Sequence, residues 1–152
     1  MEQYGGFWRR FAASFIDGII LLIPTELINF ILFMMIVGGD VSSFIAYETG
    51  QDLSMYWGFE AIALTLTTIV NVIYFAKLHS SSWQATLGKR MLGMKVTTVE
   101  GERISFGRAV GRYFAMILSA IPLMIGFMLA GWTKKKRALH DFVAGTVVIR
   151  TR

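Results

Sequence analysis

Three long apolar stretches constrain this chain more than anything else in it. They cover residues 15–37, 56–78 and 113–132 of a sequence of 152. At about 1.5 Å per helical residue, each can cross a hydrocarbon layer ~30 Å thick. A globule of this size buries only about two-thirds of its surface, so it cannot hide them all. Hydrophobic residues make up 55% of the chain, and the 15 glycines come on top of that. Only 16% of residues are charged, against about 25% in soluble domains. An integral membrane protein is expected, as a single domain over 1–152. Intrinsic disorder is excluded, because it needs low hydrophobicity. With no Cys, disulfide scaffolds, thiol catalysis and thiolate metal sites are excluded too.

The first stretch reads as an uncleaved anchor. It follows Arg9 and Arg10, but it carries Asp17, Pro24 and Glu26 and shows no small-x-small cleavage site. Charge then orients the chain. Of the 15 Lys and Arg, 2 precede the first stretch, 7 lie between Lys77 and Arg112, and 6 lie from Lys134 onward. The loop 38–55 has none and holds Asp40, Glu48 and Asp52. Cations favour the cytoplasmic side, which places the N-terminus and the 77–112 region inside and the acidic loop outside. A simple crossing by 113–132 would strand Lys134-Lys135-Lys136-Arg137 on the wrong side. A hairpin broken around Pro122 that re-enters avoids this, provided its backbone packs on protein. A full third span stays open, since 20 uncharged residues are long enough for one.

The fold class expected is therefore all-α in the membrane, with two transmembrane helices, a Pro-broken third segment and a small cytoplasmic β element. The β-branched run 95–99, Glu100-Gly101, and the resumption at Arg103-Ile104-Ser105 give a hairpin signal. Residues 146–149 are a candidate third strand, which a re-entrant 113–132 puts on the same side as 95–105, where they could share a sheet. Thr86 to Met94 reads as a short helix or turn, and Ser105 as the cap of a helix starting at Phe106.

Ionisable groups at membrane depth are functional candidates. Asp17 follows Arg10 by seven residues on one helical face, where the two could form an interfacial ion pair, while Asp141 could pair with Arg10, Arg108 or Arg137. Glu26, nine residues past Asp17, falls on the opposite face. Glu60, Thr67, Asn71 and Tyr74 form a polar stripe that needs a partner helix or a wet cavity. Its oxygens suit a cation or proton path, and equally suit interhelical hydrogen bonds. Arg108 and Arg112 stand at i and i+4, placed to pair with Asp17 or Asp141 or to clamp lipid phosphates. Anionic lipid at the cytoplasmic face is the partner expected for the basic surface, with no nucleic acid. His79 and His140 are too few for a metal site. The Gly88-Lys89 pair lacks the earlier Gly and the Ser/Thr of a phosphate loop. No cofactor and no enzymatic constellation is expected.

Taken together, three segments resemble the RDD family of small bacterial membrane proteins, named for one Arg and two Asp. "GFWRRFAASFID" is similar to its first signature, which makes Arg10 the family Arg and Asp17 the first Asp. "SSSWQATLGKRMLGMKVTTVEGERISFGRAVGRYF" is similar to its middle, with Gly88, Lys89, Arg90, Gly93, Ser105 and Arg108 in register. "KKKRALHDFVAGTVVIR" resembles the C-terminal signature, which makes Asp141 the second Asp. The resemblance implies an all-helical domain in a bacterial inner membrane. It also implies two functional readings. In the first, an oligomer exchanges sodium for protons through Asp17 and Asp141, with Arg10 tuning them and Glu60 and Asn71 on an outer path. In the second, Arg10, Asp17, Arg108 and Asp141 form a structural salt-bridge cluster in a non-catalytic adaptor of a membrane partner. Glu26 and Glu60 are not part of the signature.

Overall fold

Helix α1 (Phe7–Ile36) opens the chain, and α2 (Val41–Glu48), α3 (Leu53–His79) and α4 (Leu87–Met91) follow. Strand β1 (Met94–Thr98) precedes α5 (Phe106–Ala120), α6 (Ile125–Trp132), α7 (Leu139–Val143) and β2 (Thr146–Arg150). This computed structural model describes residues 4–120 and 125–151. Both α1 and α3 are long and apolar enough to cross a membrane, and both start before the expected spans at 15 and 56. The fold is mostly helical, as expected, with one small antiparallel sheet.

Two compact units are formed, Met1–Ile19 with Val72–Arg152, and Ile20–Asn71. In the first, alanines sit where helices converge. Ala13 of α1, Ala76 of α3 and Ala109 of α5 share a core with Met94, Val96, Ile104 and Val148. Small side chains let backbones approach closely where lipid gives helices no hydrophobic reason to associate. On α5 the buried positions are Ala109, Arg112, Ala115 and Ser119, one face at helical spacing, while Phe106, Phe114, Ile117 and Leu118 are exposed. Gly126 is required by the packing of α6 on α5. A Cβ there would stand 2.6 Å from Ser119 Cα.

The sheet keeps one expectation and corrects another. Strand β1 pairs with β2, Val96 facing Val148 and Thr98 facing Thr146, as the shared sheet of 95–105 and 146–149 required, but residues 103–105 are not a strand. The competing force is the helix that follows. Ser105 Oγ accepts from Arg108 N at 3.2 Å, the N-cap the sequence suggested, and this turns the chain away from β1. The other edge of β2 takes Tyr4 opposite Ile149, and Gly5 N donates to Val148 O at 2.8 Å.

The third apolar stretch is two helices, α5 and α6, with axes 102° apart. Pro122, at the expected break, lies outside the described residues.

In the second unit, Asp40 caps α2 by accepting from Ser43 N at 2.9 Å. Phe33, Phe44, Tyr47, Tyr56 and Phe59 form an aromatic cluster there, and Tyr47 Oη donates to Glu60 Oε1 at 3.1 Å.

Candidate functional site

Asp141 is the third residue of α7 and has no exposed surface. Its Oδ1 accepts from Arg112 Nη2 at 2.7 Å, Arg112 Nε at 3.1 Å and Thr146 Oγ1 at 3.3 Å. Its Oδ2 accepts from Arg10 Nη1 and, at 3.1 Å, from Ala138 N. One carboxylate thus joins α1, α5, α7 and β2. Burial alone would raise the Asp141 pKa, but the charges of Arg112 and Arg10 outweigh it and hold the carboxyl well below its usual range. Arg10 also donates from Nε to Gly5 O at 2.7 Å and from Nη2 to Lys136 O. Around this core, Arg137 donates to Thr146 O at 3.0 Å and Asp141 O at 2.9 Å, and its guanidinium lies over the Phe142 ring. His140 approaches Asp141 at 3.6 Å, but burial, helped by Arg112, pushes the imidazole down to about 3. It is therefore neutral at physiological pH, and its Nδ1 lies 3.2 Å from Ser119 Oγ.

Asp17 is buried as completely but meets only neutral donors. Tyr74 Oη donates to Oδ1 at 2.8 Å, Gly88 N to Oδ1 at 2.8 Å, and Thr86 Oγ1 to Oδ2 at 2.6 Å. Thr86 also caps α4, accepting from Lys89 N at 3.4 Å. A Cβ on Gly88 would fall 2.2 Å from Ala13 O and 3.0 Å from Asp17 Cγ. Only glycine lets the start of α4 reach that carboxylate. Lys89 is buried, with its Nζ 5.8 Å from the Phe75 ring centroid. Burial and the charge of Arg112 push this amine down to about 7, although Asp17 works the other way.

The structure decides among the pairings left open. Arg10 pairs with Asp141 and not with its neighbour on the same helical face, Asp17, because α7 brings a carboxylate to the guanidinium from 131 residues away. Arg112, 1% exposed, cannot reach lipid headgroups and belongs to Asp141. Arg108 is exposed and makes no ion pair among the described residues. Glu60 and Asn71 belong to the second unit, where Asn71 Nδ2 donates to the Thr67 carbonyl of its own helix at 2.8 Å. Of the polar stripe, only Tyr74 reaches Asp17. Tyr74, named in the polar stripe, and Gly88, named in the family register, turn out to serve Asp17, and the donors that sequence reasoning missed outright are Thr86 and Thr146. Thr86 carried a signal, as the cap of a short helix, while Thr146 carried none.

The cluster is poorly suited to holding a cation. Arg10 and Arg112 already match the charges of Asp17 and Asp141, Lys89 adds to them when protonated, and each oxygen of both carboxylates already accepts a hydrogen bond. Among the described residues, no group of His, Asp and Glu could hold a metal ion.

Comparison with known proteins agrees with the signature reading. A family model described as "RDD family" matches residues 4–145. The uncharacterized protein YxaI of Bacillus subtilis is 42% identical over 98% of this chain and 99% of its own length. The uncharacterized membrane protein YteJ of the same organism is 28% identical over 99% of this chain and 84% of its own. A proline-rich antigen homolog of Mycobacterium tuberculosis is 25% identical over 97% of this chain and 64% of its own. No solved structure matches.

Proposed function

This chain belongs to the RDD family, and from that premise we propose that it is a non-catalytic membrane adaptor whose Arg10–Asp141–Arg112 cluster is a structural clamp. The observation that carries this reading is that every oxygen of both buried carboxylates already accepts a hydrogen bond from within the fold. An antiporter must free a carboxylate for each arriving ion. Here Asp141 would have to leave two guanidiniums, and Asp17 would have to leave two hydroxyls and a backbone N–H.

The partner-facing group is Glu26. It is exposed on α1 with no hydrogen bond or ion pair among the described residues. A lone carboxylate at the middle of a span costs several kcal/mol unless something pairs with it. No Lys or Arg lies between Arg10 and Lys77, or between Tyr113 and Trp132. A second copy therefore brings no cation to that depth, and the occupant is read as a different membrane protein with a Lys or Arg there. The charge asymmetry supports a cytoplasmic N-terminus and a multi-pass bacterial inner-membrane protein in which α5 and α6 form a re-entrant pair.

Two measurements test this. In everted vesicles carrying a pH dye, sodium or lithium is expected to leave the proton gradient intact. Dissipation that Asp17→Asn or Asp141→Asn abolishes would establish antiport instead. A photo-crosslinker placed at Leu22 or Phe30, beside Glu26, is expected to capture one membrane protein, with capture lost in Glu26→Leu. Capture only of a second copy, or capture unchanged in Glu26→Leu, refutes the adaptor face.

A further inference from the structure

The first unit has a surface groove of about 490 Å3 that the clamp does not use. Three cations line it: Arg9 at the start of α1, Lys136 after α6, and Arg150 at the end of β2. Among its described lining residues there is no carboxylate. Arg9 and Arg150 are exposed and make no ion pair among the described residues. Lys136 Nζ donates to Gly131 O at 3.2 Å, which holds it at the rim. The other wall is aromatic and apolar, with Trp8, Phe7, Trp132 and Met128. Trp8 is 76% and Trp132 71% exposed.

The placement of these groups makes sense only at a membrane surface. Trp8 begins the first apolar helix and Trp132 ends the third apolar stretch, the level at which Trp rings sit in the headgroup region. A free phosphate would use the cations and leave both indoles in water. A phospholipid uses both walls, with its phosphate on the cations and its glycerol and upper acyl carbons on the rings. We propose that this groove is a binding site for the headgroup of an anionic phospholipid. The inference does not depend on whether the protein is an adaptor or a transporter.

The test uses the full chain in detergent, with Trp57→Phe and Trp83→Phe so that fluorescence comes from Trp8 and Trp132. Brominated phosphatidylglycerol and brominated phosphatidylcholine are titrated separately and quenching is followed. Each basic group near an anionic lipid multiplies affinity by about fivefold, so three give a preference on the order of a hundredfold for phosphatidylglycerol. Arg9→Gln/Lys136→Gln/Arg150→Gln is expected to abolish the preference. Lys134→Gln/Lys135→Gln, which removes as much charge as a double groove variant but from outside the groove, is expected to lower the preference by clearly less than Arg9→Gln/Arg150→Gln does. If the triple variant is not monodisperse, Arg9→Gln/Arg150→Gln alone, on two exposed side chains, should lower the preference by about twenty-fivefold. Equal quenching by the two lipids overturns the proposal. So does an equal loss in the lysine control, which would mark a diffuse surface charge. Displacement of the brominated lipid by an equal concentration of inorganic phosphate would assign the groove to a soluble anion and overturn it as well.

Discussion

Asp17 and Asp141 are buried to the same degree in the same unit, yet they are neutralised by opposite means. Asp141 sits between two guanidiniums, so its charge is cancelled by charge. Asp17 is held by a phenol, a hydroxyl and a backbone N–H, so its charge is spread over dipoles. The difference follows from what each element can deliver. The N-terminus of α1 and the middle of the inner face of α5 both carry an Arg toward α7. The approach of α4 to α1 is so close that only a glycine N–H and short hydroxyls fit. A buried carboxylate between charges is costly to break, because removing it strands the partners. One among dipoles loses less, because hydroxyls can turn from donor to acceptor.

The largest effect should come from Asp141→Asn. It leaves Arg10 and Arg112 buried without a counter-charge, and a loss of about 3–5 kcal/mol is expected. The readout is the thermal unfolding midpoint in detergent, or the yield of monodisperse protein. Gly88→Ala comes next. Its Cβ would meet the Ala13 carbonyl, so α4 must retreat from Asp17, at a cost of about 1–3 kcal/mol in the same assay. Asp17→Asn should cost less, about 1–2 kcal/mol, since Thr86 and Tyr74 can rotate to the new amide and only the Gly88 N–H cannot. If Asp17→Asn proves more damaging than Asp141→Asn, the contrast between charge pairing and dipole solvation is wrong.

Two pH dependences sharpen the comparison without substituting either acid. The His140 pKa in the fold is pushed down to about 3, below its unfolded value of about 6.5. As pH falls below about 6.5 the unfolded chain takes a proton that the fold does not. Stability should therefore decline from about pH 6.5 toward pH 3, and fall further below about 4 as Asp141 loses its advantage. His140→Phe should flatten the first part of that decline. Lys89 is shifted in the same sense, to about 7 from about 10.4 in an unfolded chain. Stability should rise as pH increases from 7 to about 10 and be flat with respect to this group below 7. Lys89→Met should remove that slope, as unfolding midpoints across the range would show.

Part of this molecule was legible from its residues. The three apolar stretches, the Ser105 cap, the short helix after Thr86 and a strand at 146–149 all follow from local chemistry. So did the importance of Arg10, Asp17 and Asp141, through the family signature. The hairpin at 95–105 did not form, because local strand signals there compete with a helix cap that needs the same backbone.

What the amino-acid sequence determined by itself is that this is a membrane protein of this family with few charges in its spans. Hydrophobic length and helical period act locally, so they can be read from neighbours. Which arginine meets which aspartate was decided only by the tertiary structure. Arg10 and Asp141 are 131 residues apart, and Asp17 and Gly88 are 71 apart. Such pairings depend on which helix faces fit closely enough to exclude water and lipid, and that fit is a property of the packed whole.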